Sequence, residues 1–177
     1  MNERHGEAFE LDMRLAVVGD RLRPGQAAPD FALDHLPPGA SEIRTVRLAD
    51  TRGRVRLLNV VNSMDTPVCQ VETRCWEGKL PELPPGVVLY TISMDLPFAL
   101  ARWPGADGER HLALSSHRSE DFGKAYGVLL KEWRLLQRAV FVIDRADRIA
   151  YAEYVADQMK EPDYTPALEA IRAAVTR

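Results

Sequence analysis

The segment RVRLLNVVNSMDTPVCQVETRC, residues 54–75, contains the strand-to-helix transition on which the predicted fold depends. Its first part, residues 54–61, is a nearly continuous apolar run of strand length, which is typical of a strand covered on both faces of a sheet. Residues 62–65 form the connecting loop, and the pattern turns helical after them. Thr66 is the natural N-cap residue of this helix, and Pro67 occupies its first position, where a missing N–H leaves no hydrogen bond unmade.

Cys69 falls at the third position of the predicted helix. A thiol in the first turn of a helix meets unsatisfied backbone N–H groups and the positive end of the helix dipole. Both favour the thiolate over the thiol, and the thiolate is the nucleophilic form. The Thr66 hydroxyl lies one turn earlier, beside the sulfur. The residues therefore predict an activated thiol at Cys69, and a small residue packed between helix and sheet is the alternative they leave open.

Cys75, the second of the two cysteines in the chain, is predicted to be a buried and inert thiol. Val68, Val71 and Cys75 stand at i, i+3 and i+7, so we expect Cys75 to continue an apolar stripe toward the core and Cys69 to lie off that stripe. Six helical residues separate the two cysteines by ~9 Å along the axis. A disulfide requires Cα atoms within roughly 7 Å, so a bond between them requires local unwinding of the helix.

Composition and charge exclude several classes of function. A chain of 177 residues is large enough for one domain with its own core. Its net charge of −3 argues against nucleic acid or an anionic membrane as the main partner. We find no secretory signal or membrane-spanning run, and two cysteines are typical of a reducing compartment, so we expect a cytoplasmic protein. C-x5-C is not a zinc spacing and no nucleotide-binding motif occurs, so no metal or cofactor is expected.

Strand-like and helical segments alternate along the chain. We predict an α/β fold of the thioredoxin-like type, in which helices flank a central mixed sheet. Residues 1–22 are predicted to form an N-terminal arm or hairpin, and residues 23–177 a single domain. After the first helix, the predicted elements are a strand at 87–94, a helix at 95–103, a strand at 111–116, a helix at 119–127, a hairpin of 138–144 and 148–155, and a final helix at 164–175.

Six short segments occur in a characteristic order: GQAAPDF (25–31), SMDTPVCQVETR (63–74), SMDLPFALARW (93–103), AYG (125–127), RAVFVID (138–144) and EPDY (161–164). In these segments the chain resembles the thiol peroxidase group of the peroxiredoxins. The resemblance implies a peroxidase that reduces hydrogen peroxide and organic or lipid hydroperoxides. It further implies a homodimer, a thioredoxin-like or small-molecule thiol as the reductant, and no metal, flavin or haem.

The resemblance also assigns roles to three residues, which are the predicted catalytic residues. Cys69 matches the peroxidatic cysteine, whose thiolate attacks the O–O bond and becomes a sulfenic acid. Thr66 matches the threonine that hydrogen-bonds the thiolate and the peroxide oxygen. Arg138 matches the arginine that keeps the sulfur anionic and stabilises charge developing on the oxygens.

Two positions depart from the family pattern. The motif P-x-x-x-[ST]-x-x-C has a proline where this chain has Asn62, which predicts a more polar and more open pocket. The resolving cysteine of the group follows the RW pair, where this chain has Pro104, so the usual intramolecular disulfide cannot form. Three alternatives follow. We favour a one-cysteine cycle, in which an external thiol reduces oxidised Cys69; the others are a Cys69–Cys75 disulfide after unwinding and a peroxide-sensing regulatory protein with poor turnover.

Overall fold

The structure, a computed structural model, describes residues 2–103 and 110–176, so that Pro104 lies outside the described residues. The helices are α1 (Pro67–Lys79), α2 (Pro97–Leu100), α3 (Asp121–Ala125) and α4 (Tyr164–Thr176), and 3₁₀ turns span Leu48–Thr51 and Leu80–Glu82. The strands are β1 (Glu3–Glu10), β2 (Met13–Val18), β3 (Ala32–His35), β4 (Arg44–Arg47), β5 (Arg56–Val60), β6 (Val88–Ser93), β7 (His111–Ser115), β8 (Leu129–Leu130), β9 (Leu135–Leu136), β10 (Ala139–Ile143) and β11 (Ile149–Tyr154).

A seven-stranded mixed sheet forms the centre of the described part of the chain, with the strand order β11-β10-β5-β6-β7-β3-β4. Strands β5, β6 and β7 are parallel and are connected through α1 and α2. The other neighbouring pairs, including the predicted hairpin of β10 and β11, are antiparallel. A mixed sheet flanked by helices is the α/β arrangement that the sequence predicts.

Strand β5 is covered on both faces, which explains its unbroken apolar run. Leu57 and Leu58 are both fully buried, but they belong to different core clusters because successive side chains point to opposite faces. Leu57 shares its cluster with Trp76 of α1 and Ile171 of α4. Leu58 lies on the other face, in the cluster that contains Phe122 of α3. The strand thereby anchors the loop that leads into α1.

A second sheet of four antiparallel strands, in the order β1-β2-β8-β9, was not predicted. Residues 3–18 supply its first two strands as a hairpin. Strands β8 and β9 contain two residues each, too few to show the alternation that identifies a strand in a sequence. Main-chain hydrogen bonds join β1 to the segment after β11: Phe9 N donates to the Ala156 carbonyl at 2.9 Å, and Gln158 N donates to the Phe9 carbonyl at 2.9 Å. Among the described residues, no helix is long and apolar enough to cross a membrane.

Candidate active site

Cys69 lies in the first turn of α1, just beyond the carboxyl end of β5. Pro67 begins the helix, and Thr66 is its N-cap residue with extended backbone angles, as predicted. The Cys69 side chain is 0% exposed and packs in a small cluster with Val61 and Met64, among others. The sulfur is therefore removed from bulk water at the end of a helix whose dipole favours an anion.

The face that α1 turns to the core differs from the predicted one. Val71 is 53% exposed, and Cys75 is only partly buried. The prediction that Cys75 follows a valine stripe into the core is therefore wrong, and it is Cys69 that lies on the buried face. The buried residues of the helix stand at i, i+3, i+4 and i+7: Cys69, Glu72, Thr73 and Trp76.

Polar partners explain why this face is buried although two of its residues are polar. Glu72 pairs with the guanidinium of Arg138, and both side chains are buried. The Thr73 hydroxyl accepts a hydrogen bond of 3.2 Å from the amide of Asn59 in β5. Buried polar groups are tolerated where they find such partners. An apolar period read from the sequence cannot identify this face, because the partners come from distant strands.

Arg138 precedes β10 and places its guanidinium beside the sulfur. Its Nη2 lies 3.5 Å from Cys69 Sγ. Because β10 pairs with β5, with Ala139 opposite Val60, the residue before β10 adjoins the loop that leads into α1. Burial lowers the pKa of Arg138, but the negative charges of Glu72 and Cys69 raise it by a larger amount, so the pKa of Arg138 is raised overall. The site thus holds a permanent cation against the thiol.

Glu72 forms the other half of a buried ion pair with Arg138, whose Nη1 donates to its Oε2. Burial raises the pKa of Glu72 to about 8, and Arg138 acts in the opposite direction. Glu72 was not among the predicted site residues. Its signal in the sequence is its position, since a glutamate three residues after Cys69 lies on the same side of the helix.

Thr66 precedes Cys69 by three residues, but its hydroxyl is hydrogen-bonded to the backbone. Thr66 Oγ1 donates to the Ser63 carbonyl at 3.0 Å. Within the described ranges, no hydrogen bond joins this hydroxyl to Cys69. The Thr66 side chain lines a cavity at the site. The structure therefore brings Cys69 and Arg138 into direct contact and places Thr66 at the wall of the space in front of them.

The cavity has a volume of about 410 Å³ and two kinds of wall. Asn62, Thr66 and Arg138 line its polar side, whereas its apolar side includes Val68, Trp133 and Met159. Asn62 is 5% exposed and donates to the Leu136 carbonyl at 2.7 Å, so its amide is a buried part of the polar side. The arrangement can hold a small polar head beside Arg138, whose guanidinium contacts the sulfur, and an apolar group against the other wall.

Asp95 fixes the loop before α1, and sequence reasoning missed it. Its carboxylate accepts hydrogen bonds from Ser63 Oγ at 2.7 Å, from Met64 N at 2.8 Å and from Ser93 Oγ at 2.7 Å. The tripeptide Ser-Met-Asp occurs both at 63–65 and at 93–95. The structure places the second copy so that its aspartate bonds to the serine and methionine of the first. The position of Cys69 therefore depends on a contact between two loops at the same edge of the sheet.

No group of three or more histidine, cysteine, aspartate or glutamate residues within 2–103 and 110–176 is arranged to hold a metal ion. Both cysteines are free thiols. The chemistry that these side chains can perform is nucleophilic attack by an activated, buried sulfur beside a cation.

Known proteins are similar to this chain in both sequence and fold. The model of the AhpC/TSA family matches residues 24–152. The chain is 43% identical over 162 residues to a thiol peroxidase of Halalkalibacterium halodurans, covering 91% of this chain and 94% of that protein. A thiol peroxidase of Bacillus subtilis is 41% identical over 162 residues, covering 91% and 93%.

Two solved structures agree with these relationships. A peroxiredoxin-like protein from Aquifex aeolicus superimposes with a TM-score of 0.82 at 27% identity, covering 96% of this chain and 98% of that one. A thiol peroxidase from Chromobacterium violaceum gives a TM-score of 0.76 at 26% identity, covering 94% and 95%. These similarities confirm the thioredoxin-like fold that the sequence predicts.

Proposed function

This chain belongs to the AhpC/TSA family and is a thiol-dependent peroxidase of the peroxiredoxin type, and we propose that Cys69 is its peroxidatic cysteine in a one-cysteine cycle. The resemblance to thiol peroxidases, inferred from six sequence segments, is confirmed. The observation that carries the proposal is the contact of 3.5 Å between Arg138 Nη2 and Cys69 Sγ. A fixed cation beside a sulfur at a helix N-terminus favours the thiolate, which is the reactive form.

In the proposed first step, the Cys69 thiolate attacks the terminal oxygen of a hydroperoxide. An S–O bond forms while the O–O bond breaks, which oxidises the sulfur to a sulfenic acid, and the alcohol leaves as an alkoxide that takes a proton from water. Arg138 stabilises the charge that moves from the sulfur to the oxygens. The Thr66 hydroxyl donates a hydrogen bond to the Ser63 carbonyl at 3.0 Å. Because that hydrogen is used, the hydroxyl oxygen acts as the acceptor for the O–H of the bound hydroperoxide and orients it.

External thiols complete the proposed cycle. One thiol condenses with the sulfenic acid and releases water, and a second thiol then displaces the Cys69 thiolate and leaves the reductant as a disulfide. Two features support a one-cysteine cycle. Pro104 occupies the usual position of the resolving cysteine, and Cys75 lies off the face of α1 that carries Cys69. We propose a thioredoxin-like or small-molecule thiol as the reductant, and a homodimer in the cytoplasm as the working form.

The lining of the cavity supports a proposal that the substrates include organic peroxides as well as hydrogen peroxide. Its polar wall receives the peroxide group, and the apolar side chains of Val68, Trp133 and Met159 are suited to an alkyl or lipid tail. Hydrogen peroxide has no tail and uses the polar wall alone. We therefore propose that the enzyme reduces hydrogen peroxide together with organic and lipid hydroperoxides.

The variant Cys69→Ser tests the nucleophile. We expect this change to abolish hydroperoxide consumption in the presence of dithiothreitol, because a serine hydroxyl does not replace a thiolate. Cys75→Ser is the matched control on the same helix and is expected to retain activity. Full activity of Cys69→Ser would refute the proposal.

Intact-mass analysis after one equivalent of peroxide tests the resolving step. A gain of one oxygen on Cys69 is expected for the one-cysteine cycle. Loss of two hydrogens from the monomer contradicts it and indicates a Cys69–Cys75 disulfide. Stoichiometric oxidation that no thiol reverses contradicts turnover and supports the alternative of a peroxide sensor.

A further inference from the structure

Asn62 is a buried amide at the position where the family motif has proline. Its Nδ2 donates to the Leu136 carbonyl at 2.7 Å and to Gln158 Oε1 at 3.0 Å. An amide nitrogen carries two hydrogens, so both are used. Because the Leu136 carbonyl requires a donor, the amide oxygen turns the other way, toward Arg138. Asn62 Oδ1 lies 3.4 Å from Arg138 Nη2.

Gln158 holds Arg138 at both of its ends. The side-chain oxygen Oε1 of Gln158 accepts a hydrogen bond from the backbone N–H of Arg138 at 2.9 Å. The main-chain carbonyl of Gln158 accepts one from Nη2 of the guanidinium, also at 2.9 Å. The Gln158 Nε2 group donates to the carbonyls of Val155 at 2.7 Å and Ala156 at 3.1 Å. The side chain is 1% exposed and every polar atom in it has a partner, so it cannot rotate without breaking buried hydrogen bonds.

We propose that Asn62 and Gln158 are positioning residues that hold the Arg138 guanidinium against Cys69; this inference rests on the function proposed above. Nη2 has two hydrogens and three acceptors. One hydrogen points to the Gln158 carbonyl at 2.9 Å, and the other lies between Cys69 Sγ at 3.5 Å and Asn62 Oδ1 at 3.4 Å. The Asn62 amide oxygen and the Gln158 main-chain carbonyl thus hold the nitrogen that faces the sulfur, and the Gln158 side chain fixes both Asn62 and the Arg138 backbone.

The opposing contact is the ion pair with Glu72. Arg138 Nη1 donates to the Glu72 carboxylate, which attracts the guanidinium from the side of α1. A long arginine side chain has several rotatable bonds and follows its strongest partner unless other contacts restrain it. Asn62 and Gln158 supply that restraint. All four of their amide hydrogens are bonded to the protein, so neither side chain has a free donor to offer the peroxide.

The test is the pH dependence of Cys69 alkylation by iodoacetamide in the reduced full-length protein, with Cys75→Ser as the background. We expect Asn62→Ala to move the midpoint of alkylation up by roughly 0.5 to 1 pH unit, a fraction of the effect of an adjacent opposite charge. Below that midpoint, the rate constant for oxidation of Cys69 by hydrogen peroxide falls roughly three- to tenfold, since the thiolate fraction falls by the same factor. Gln158→Met keeps the main-chain carbonyl but removes Oε1, the acceptor of Asn62 Nδ2 and of the Arg138 N–H. It is expected to act in the same direction, and the double variant to show less than the sum of the two shifts.

Asn59→Ala is the matched control, because Asn59 is also a buried asparagine of this strand region. Its amide donates to the hydroxyls of Thr73 at 3.2 Å and Thr91 at 3.3 Å, not to a group that contacts Arg138. We expect this variant to lose stability but to keep the alkylation midpoint.

An unchanged midpoint in folded Asn62→Ala overturns the inference. If that variant does not fold, an unchanged midpoint in Gln158→Met overturns it equally. Alkylation requires no peroxide, so the experiment can refute the positioning role without refuting the peroxidase cycle, and the reverse. A wild-type protein that does not consume peroxide, but whose midpoint still moves in Asn62→Ala, refutes the peroxidase cycle and leaves the positioning role intact.

Discussion

Among the individual residues of the site, one guanidinium contacts two groups that can lose a proton. Arg138 contacts Cys69 Sγ through Nη2 and the Glu72 carboxylate through Nη1. Burial raises the pKa of Glu72 to about 8. While Glu72 carries a proton, the positive charge of Arg138 is available to the thiolate. Once Glu72 ionises, it competes with the sulfur for that charge. We therefore expect the protonation state of Glu72 to affect the stability of the protein.

Glu72→Gln is expected to remove a pH dependence of stability. A carboxyl group whose pKa is near 8 in the folded protein and 4.5 as its ordinary value binds more protons in the folded state between these limits. Its contribution is present below about pH 4.5, and the free energy of unfolding falls as the pH rises toward 8. Each pKa unit corresponds to about 1.4 kcal/mol. Wild type should therefore lose a few kcal/mol more than the variant between pH 5 and pH 8.

Denaturant unfolding at both pH values measures this difference. Glu169→Gln is the control, since Glu169 is an exposed glutamate of α4 whose loss should leave the pH dependence as in wild type. Equal pH dependence in wild type and Glu72→Gln would contradict the assignment of a raised pKa to Glu72.

At the scale of elements, the loop between β5 and α1 determines where the thiol lies. The loop is short, and Asp95 ties it to the loop after β6 through Ser63 and the backbone of Met64. Parallel strands end at the same edge of a sheet, so two loops that are distant in sequence meet there. The helix then buries the face that carries Cys69. The geometry of the site is therefore a property of paired loops and not of the Thr-Pro-Val-Cys segment alone.

Asp95→Ala is expected to loosen this loop. The change leaves Ser63 Oγ and Met64 N without their acceptor, and hydrogen bonds to a charged group contribute about 1.5–3 kcal/mol each. We expect a loss of stability of about 3 kcal/mol or more and a lower peroxidase rate, measured by thermal unfolding and by stopped-flow oxidation of Cys69. Asp65→Ala, at the exposed aspartate of the first Ser-Met-Asp, is the control. Equal rates in the two variants would refute a role for the Asp95 contact.

At the scale of the whole molecule, the small four-stranded sheet completes the cavity. Trp133 lies between β8 and β9 and packs against the cluster of Leu15, Val17 and Leu130. From there it forms part of the apolar wall beside Val68. The N-terminal hairpin thereby reaches the active site, although it lies outside the central sheet. The second sheet thus supplies part of the apolar wall, whereas the central sheet positions Cys69 and Arg138.

Trp133→Ala is expected to change substrate preference more than reactivity. Loss of an apolar wall weakens binding of a bulky tail, and burial of such a group contributes roughly 1–2 kcal/mol. The ratio of kcat/KM for cumene hydroperoxide to kcat/KM for hydrogen peroxide should fall about five- to twentyfold. Trp133→Phe keeps an aromatic wall and should retain most of the ratio. An unchanged ratio in Trp133→Ala would show that the wall does not contact the substrate.

Three features could be predicted from the residues alone: the strand within 54–61, the start of α1 at Pro67 and the position of Cys69 in its first turn. These features depend on local rules, namely the period of apolar residues and the preferences of helix N-termini. The catalytic role of Arg138 was predicted from resemblance to a family, because nothing in its neighbouring residues indicates such a role.

Three other features depend on contacts between distant parts of the chain: the buried face of α1, the acceptors around the guanidinium, and the part of the cavity wall that the second sheet supplies. Glu72 can be buried because Arg138, 66 positions away along the chain, meets it. Asn62 and Gln158 form a pair although 96 positions separate them. The physical reason is that the burial of a polar group is stable only when its partner is present, and those partners are brought together by the pairing of distant strands.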